Sequence, residues 1–165
     1  MKYFEKKEGN IFFIPLFLPN DIKDNIKSYS KTNFTSEKNY AFGRLIEIDK
    51  SKGDLIEIFN YTGSIPDNKD DIIKSELMFE ALHISMAFAK KRWRFIFEEL
   101  NYDKEIDSNY SKISFLLGGE DNPKLWIGGK IQTIKWYDIF KYKECIVYTP
   151  TEIEDMIRKY INSNK

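Results

Sequence analysis

Two apolar segments joined by a short polar turn decide the fold: YAFGRLIEI at residues 40–48 and LIEIF at residues 55–59. Both segments are rich in aromatic and β-branched residues, which is typical of strands in a half-buried sheet. The residues between them include Ser51-Lys52-Gly53-Asp54, whose residue types suit a tight turn. The pattern predicts a β-hairpin at the centre of a sheet.

Short apolar runs of strand length continue on both sides of this hairpin. We predict further strands at residues 11–16, 93–97, 112–117, 125–127, 131–135 and 145–148. Alternation places Phe12 and Ile14 on one face of the first of these strands, so both of its faces are expected to be covered, and it places Trp93, Phe95 and Phe97 on one face of the second. An acidic, polar connection is expected to follow through Tyr110. Residues 17–39 are dominated by Lys, Asn, Ser and Thr and are expected to form an insertion loop with one helical turn near Asp21. Residues 76–88 fit a helical stripe as well as a strand, and we favour a strand or a bent pair of strands there.

The C-terminal segment has the pattern of an amphipathic helix over residues 150–163. Thr149-Pro150-Thr151-Glu152 is a capping box with proline at the first helical position. Apolar residues then recur at three-and-four spacing: Ile153, Met156, Ile157, Tyr160 and Ile161. We therefore predict an α+β fold, in which a mostly antiparallel, strongly bent β-sheet or small barrel is closed by this helix. The length of 165 residues predicts a single domain over residues 1–165.

The composition narrows the class of function. The chain has 26 basic and 26 acidic residues, so its formal net charge of zero does not attract nucleic acid or a membrane surface to the protein as a whole, although a local charged patch still could. One cysteine, Cys145, excludes an intramolecular disulfide. The segment Met1–Glu8 has no apolar signal core, and no stretch has transmembrane length. We expect a cytoplasmic protein that does not enter the membrane.

Catalytic residue types are scarce. His83 is the only histidine, so neither a multi-histidine metal site nor a pair of histidines for acid–base chemistry can form. Ser85 shares a strand face with His83 in the favoured interpretation, but no carboxylate is placed to orient the ring. We predict that the protein is not an enzyme, has no catalytic residues and binds neither a metal nor a cofactor. The hypothesis of an enzyme built on His83 and Ser85 ranks last.

A basic segment with an aromatic residue supports one alternative function. Lys90-Lys91-Arg92-Trp93-Arg94 could grip phosphate groups and stack a base. The simpler interpretation is a polar turn that leads into a strand whose Trp93 is in the core, and we favour it.

Two acidic segments could meet a basic partner. One contains Asp67, Asp70 and Asp71. The other, which we call the acidic run, is denser and includes an aromatic residue of a kind enriched at binding hot spots: Glu98, Glu99, Tyr102, Asp103, Glu105 and Asp107. We predict that the acidic run contributes to a protein interface.

Several motifs resemble the opening of the bacterial immunity protein 26 family. They are Gly9-Asn10-Ile11-Phe12-Phe13-Ile14-Pro15-Leu16, then Tyr40-Ala41-Phe42-Gly43-Arg44-Leu45, and then Ile56-Glu57-Ile58-Phe59. A later Gly-x-Trp strand of the family resembles Lys91–Ile96, so the resemblance covers residues 9–97. Asn10 stands where the family has an acidic residue, and Arg92 stands where glycine is expected before the tryptophan.

The resemblance implies a small protein that binds and neutralises a cognate toxin of interbacterial competition by direct protein–protein contact. The alternative from another class is a nucleic-acid-binding β-barrel that uses Lys90, Lys91, Arg92 and Arg94. We expect a toxin protein as the partner rather than nucleic acid.

Overall fold

The predicted hairpin is present in the computed structural model, which describes residues 1–165. Its strands are the second and third of nine, which are β1 (Ile11–Pro15), β2 (Tyr40–Glu47), β3 (Asp54–Gly63), β4 (Leu82–Ile84), β5 (Arg94–Phe97), β6 (Ser114–Leu117), β7 (Lys124–Ile127), β8 (Lys130–Thr133) and β9 (Val147–Tyr148). The α-helices are α1 (Lys69–Ile73), α2 (Lys104–Ser108) and α3 (Pro150–Ser163). Single turns of 3-10 helix lie at Pro19–Asp21, Tyr29–Lys31 and Tyr110–Lys112, and a longer one lies at Trp136–Lys141.

The chain divides into two compact units. Unit 1 comprises residues 1–101 and 147–165, and unit 2 comprises residues 102–146. Unit 1 contains a six-stranded sheet in the order β5-β1-β2-β3-β4-β9, and unit 2 contains a three-stranded sheet in the order β6-β7-β8. The single-domain organisation of residues 1–165 stays a prediction.

The six-stranded sheet confirms the predicted α+β class and its mostly antiparallel sheet. All of its pairings are antiparallel except the short parallel pairing of β4 with β9. The sheet is open, ending at β5 and β9, so the bent-sheet form of the prediction is confirmed and the barrel form is wrong. Register shifts interrupt the pairing of β1 with β5 and of β2 with β3, and such irregularities bend and twist strands.

Both faces of this sheet are covered, as alternation along β1 predicts. Phe12 and Ile14 belong to one hydrophobic cluster, which also contains Ile153 and Ile157 of α3. Ile11 and Phe13 belong to a second cluster on the opposite face. The central strands therefore have apolar residues in both alternating positions, and their sequences are apolar almost throughout.

Residues 17–39, predicted as an insertion loop, contain no strand and form part of the second cluster. Tyr29 and Phe34 from this segment are buried, and the Phe34 ring packs 4.7 Å from the Phe13 ring between centroids. The Tyr29 hydroxyl donates a 2.6 Å hydrogen bond to the Phe17 carbonyl. These aromatic residues fix an otherwise polar segment onto the sheet.

Gly43 permits a close approach between neighbouring strands. A Cβ atom at this position would lie 2.5 Å from Cζ of Phe12 and 2.7 Å from the Glu57 carbonyl oxygen. The pairing of β2 with β3 also shifts register between Ala41 and Gly43. Both the bulge and the close approach that glycine favours are thus found here.

Two local predictions need correction. Residues 76–88 form neither a helix nor a long strand, because β4 covers only Leu82–Ile84 and turns or isolated bridges occupy most of the rest. Phe97 does not share the face of Trp93 and Phe95, since it packs against the second cluster while those two residues belong to the first. The register shift opposite Ile11 and Phe12 breaks the alternation along β5.

The C-terminal helix matches its predicted bounds and cap. The Thr149 hydroxyl accepts from the Glu152 amide at 3.4 Å, and the Glu152 carboxylate accepts from the Thr149 amide at 2.7 Å. Ile153 and Ile157 are fully buried against the sheet. No helix of the protein combines the length and apolar character needed to cross a membrane.

Candidate functional site

The structure distributes the acidic run over the two units. Glu98 and Glu99 follow β5 in unit 1. Tyr102, Asp103, Glu105 and Asp107 lie at or beside α2 in unit 2, where the sequence had predicted only a polar connection. Their contribution to an interface stays a prediction.

Four carboxylates of the acidic run have local structural partners, those of Glu99, Asp103, Glu105 and Asp107. Glu99 forms an ion pair with Lys69 at 2.8 Å, and the hydrogen bond from Lys69 is the main cause that lowers the pKa of the Glu99 carboxyl. Asp103 caps α2 by accepting hydrogen bonds from the amides of Glu105 and Ile106 at 2.9 and 3.2 Å. A substitution in the run would therefore change local structure as well as surface charge.

Three further members of the run also form hydrogen bonds in this loop, namely Tyr102, Glu105 and Asp107. Asp107 accepts from the Asp103 amide at 2.8 Å, and the hydroxyls of Tyr102 and Ser108 share a 2.8 Å hydrogen bond. Glu105 accepts from both the amide and the hydroxyl of Ser111. The loop is thus held in one conformation by the same side chains that give it negative charge.

The basic segment is divided between exposed lysines and structurally engaged arginines. Lys90 and Lys91 are exposed. Arg94 donates to the carbonyls of Tyr29 and Thr32 at 2.9 and 3.2 Å. It therefore fixes the segment 17–39 beside β5.

Arg92 forms a bidentate ion pair within unit 1. Its Nε and Nη2 atoms donate to the two carboxylate oxygens of Glu154 at 2.7 and 2.6 Å, in a bidentate arrangement. The Trp93 indole nitrogen donates to the same carboxylate at 3.0 Å. Glu154 is only 1% exposed, and its hydrogen bonds are the main cause that raises the pKa of Arg92. The prediction that Trp93 lies in the core is confirmed, and its acidic partner was missed.

A second buried ion pair lies within the hairpin. Arg44 and Glu57 are opposite each other in the register of β2 and β3, and the Arg44 Nη2 lies 2.6 Å from the Glu57 carboxylate. The guanidinium also lies over the Phe59 ring, 5.3 Å from its centroid. Arg44 therefore forms a buried structural ion pair.

Two clefts lie in unit 1. One of about 390 Å³ is lined by residues that include Lys6, Lys52, Asp54 and Ser85, and Lys6 forms a 2.6 Å ion pair with Asp54. The other, of about 300 Å³, is lined mainly by aromatic side chains beside Lys91 and Arg94. No group of three or more His, Cys, Asp or Glu side chains is arranged to hold a metal ion.

His83 is buried, at 2% exposure, and does not line either cleft. Burial is the main cause that lowers its pKa from the ordinary value of 6.5. Ser85 lines the larger cleft. Cys145 is half-buried in unit 2.

The lowered pKa of His83 predicts a pH-dependent stability. Below a pH of about 6.5, His83 becomes protonated in the unfolded chain but stays neutral in the folded chain, because its pKa is lower there. The free energy of unfolding therefore falls as the pH falls towards the folded-state pKa. The slope is at most about 1.4 kcal/mol per pH unit. Urea unfolding between pH 7.5 and 5.5 should show this decline in the wild type and a flatter profile in His83→Gln. Equal slopes in the two proteins would contradict the assignment.

Comparison with known proteins identifies the family of this chain. The family model described as Immunity protein 26 matches residues 7–122. The chain belongs to this family. The match includes the strands β1 to β5 and extends beyond the residues 9–97 that carried the resemblance, whereas residues 123–165 lie outside it. No curated protein and no solved structure matches the chain.

One exposed feature was not predicted from the sequence. Trp136, Tyr137 and Phe140 lie on the 3-10 helix Trp136–Lys141 of unit 2 and are 67%, 52% and 86% exposed. Phe140 lies four residues after Trp136 and three after Tyr137, a spacing that a buried helical stripe also shows, so the pattern did not separate these residues from core aromatics. The only available signal was the density of lysines around them.

Proposed function

We propose that this protein binds and neutralises a cognate bacterial toxin by direct protein–protein contact in the cytoplasm of the producing cell, without catalysing a reaction. The observation that carries the proposal is the match to the immunity family over residues 7–122. We call the six-stranded sheet of unit 1 and the helix α3 packed on it the framework. The matched stretch includes five of the six strands, so the family match covers most of this framework.

The buried charged residues of unit 1 have structural partners, and this supports a binding function for the protein. The Arg44–Glu57 and Arg92–Glu154 pairs connect elements of the framework to one another. Every buried polar side-chain atom has a hydrogen-bond partner within the protein. These groups therefore have structural roles that rigidify the framework, and a rigid framework presents its surface with little loss of conformational entropy on binding.

The alternative of a nucleic-acid-binding domain has less support. Of its four basic residues, Arg92 contacts Glu154 and Arg94 contacts backbone carbonyls, which leaves Lys90 and Lys91 as the exposed cations. Anisotropy measurements with single-stranded RNA and DNA across a salt series test it, since phosphate binding weakens steeply with salt. Salt-sensitive binding that is lost in Lys90→Ala plus Lys91→Ala would favour this alternative.

Co-expression tests the proposed function. The toxin domain encoded by the neighbouring gene should stop growth of a bacterial host, and this protein should restore growth and co-purify with the toxin in a 1:1 complex. An unrelated toxin is the specificity control and should still stop growth. Failure to protect and failure to co-purify would contradict the proposal.

The same complex distinguishes binding from catalysis. Toxin separated from the complex under denaturing conditions and refolded should regain full activity, because contact leaves it chemically unchanged. Toxin that stays inactive and carries a changed mass would show enzymatic modification instead.

A further inference from the structure

Three exposed aromatic residues of unit 2 lie on one 3-10 helix, and we call them the aromatic patch: Trp136, Tyr137 and Phe140. Residues three apart on a 3-10 helix lie directly above one another, so Tyr137 and Phe140 share one side of the turn. The Trp136 ring packs edge-on against Tyr137, with centroids 5.8 Å apart and an interplanar angle of 80°. Two large rings therefore pack together on this exposed turn, and a third, Phe140, lies on the same side of it as Tyr137.

Exposure of this extent is unusual for rings of this size. Phe140 is the most exposed large hydrophobic residue of the chain, at 86%, and Trp136 is 67% exposed. Aromatic side chains supply much of the burial energy of protein interfaces and are enriched among their hot spots. A contiguous exposed apolar surface with a polar rim marks an interaction site.

The charge of the chain segment that contains the aromatic patch indicates the chemistry of its partner. Between residues 124 and 143 the chain has one acidic residue, Asp138, and five lysines: Lys124, Lys130, Lys135, Lys141 and Lys143. Asp138 is neutralised by Lys141, whose Nζ lies 2.7 Å away. The Lys135 ammonium lies 5.5 Å from the centre of the Tyr137 ring. The segment is therefore positive although the chain is neutral, and it complements a surface that carries carboxylates.

The position of the patch in the chain separates it from the family framework. The family match ends at residue 122, and the aromatic patch lies on residues 136–140. A surface that selects one partner is expected to differ between relatives that share a framework.

We infer that the aromatic patch and the lysines of residues 124–143 are the surface through which this protein contacts its toxin, and that the toxin presents an acidic face with apolar recesses that receive the rings. This inference rests on the proposed function. It also names a contact surface other than the acidic run.

Paired truncation tests the inference with the purified full-length protein and the toxin domain encoded by the neighbouring gene. Trp136→Ala plus Phe140→Ala should weaken toxin binding at least about 30-fold. The matched control is Leu18→Ala, which truncates an apolar side chain of 56% exposure in unit 1 and should bind like the wild type. Both variants should keep the wild-type melting temperature, because the truncated side chains are exposed.

A charge variant provides a second measurement. Lys130→Glu plus Lys135→Glu should slow association with the toxin and reverse the salt dependence of its rate. Wild-type affinity in the double alanine variant together with wild-type association in the charge variant would overturn the inference and leave the proposed function intact. Absence of toxin binding by the wild type would overturn both.

Two other occupants of the patch would also overturn the inference. A wild-type dimer in light scattering that becomes monomeric in Trp136→Ala plus Phe140→Ala would assign the patch to a second copy of this chain. Salt-sensitive binding of a single-stranded RNA oligonucleotide that the same variant loses, with toxin binding unchanged, would assign it to nucleic acid.

Discussion

Replacement of Glu154 by alanine should destabilise the protein by about 3–5 kcal/mol, because it removes one partner of a buried ion pair. The carboxylate of Glu154 accepts from two nitrogens of Arg92 and from the Trp93 indole, and its side chain is 1% exposed. Alanine leaves the indole donor without its acceptor and the guanidinium without its counter-charge. The Arg92 side chain is 26% exposed and can recover some hydration, so the lower part of this range is expected.

Thermal unfolding measures this loss against a neighbouring control. Glu154→Ala should lower the melting temperature by about 6–12 °C in a chain of this size. Asp155→Ala removes the next acidic residue of α3, whose side chain is 60% exposed and contacts Arg158 at 3.2 Å, and it should change stability by less than about 0.5 kcal/mol. Equal melting temperatures for the two variants would show that Glu154 does not anchor α3.

Loss of either partner from the Arg44–Glu57 pair should destabilise the protein by a similar amount, about 3–5 kcal/mol. The side chains of Arg44 and Glu57 are 6% and 2% exposed, so the remaining charge would stay in the interior of the sheet. Glu99→Ala removes a carboxylate from the partly exposed pair with Lys69 and should cost less than about 1 kcal/mol. The difference between these two losses of stability measures how much more a buried ion pair matters than a partly exposed one in the same protein.

A double-mutant cycle tests whether the pair acts as a unit. Arg44→Met and Glu57→Leu should each be strongly destabilising, whereas the double variant should recover most of the loss, since an apolar pair of similar volume needs no counter-charge. Urea unfolding of the four proteins gives the coupling energy. Additive losses in the double variant would contradict this account of the pair.

Local sequence patterns predicted the elements that are defined by contacts between residues close together in the chain. The hairpin of β2 and β3 could be predicted because apolar runs flank a turn, and α3 could be predicted because Thr149 and Glu152 define its cap. The face assignment of Phe12 and Ile14 also followed from alternation. Family motifs in these strands gave the identification that the family model confirms.

Long-range contacts were not readable from the same patterns. Glu154 lies 62 residues from Arg92, and an acidic residue beside Ile153 in a helical stripe looks solvated until the sheet is in place. Tyr29 and Phe34 are isolated aromatic residues in a polar segment, and only the second face of the sheet explains their burial. The register shift that turns Phe97 away from Phe95 is likewise a property of the pairing with β1.

The candidate site was the least predictable part. The acidic run was selected for its charge density, but hydrogen bonds such as those that Asp103 makes at the start of α2 depend on backbone conformation. Exposure of Trp136 and Phe140 could not be inferred, because aromatic residues are buried far more often than exposed. The function of a surface depends on which side chains stay exposed after folding, and local sequence periodicity does not determine that exposure.

A stoichiometric titration tests the central claim, direct neutralisation of a toxin, most directly. A fixed concentration of the toxin domain encoded by the neighbouring gene, well above the dissociation constant, is mixed with increasing amounts of this protein, and the residual toxin activity is measured. Neutralisation by contact predicts a linear fall that ends at one equivalent and does not change with incubation time. Inactivation that proceeds with time at a small fraction of one equivalent, or full activity at a large excess of this protein, would contradict it.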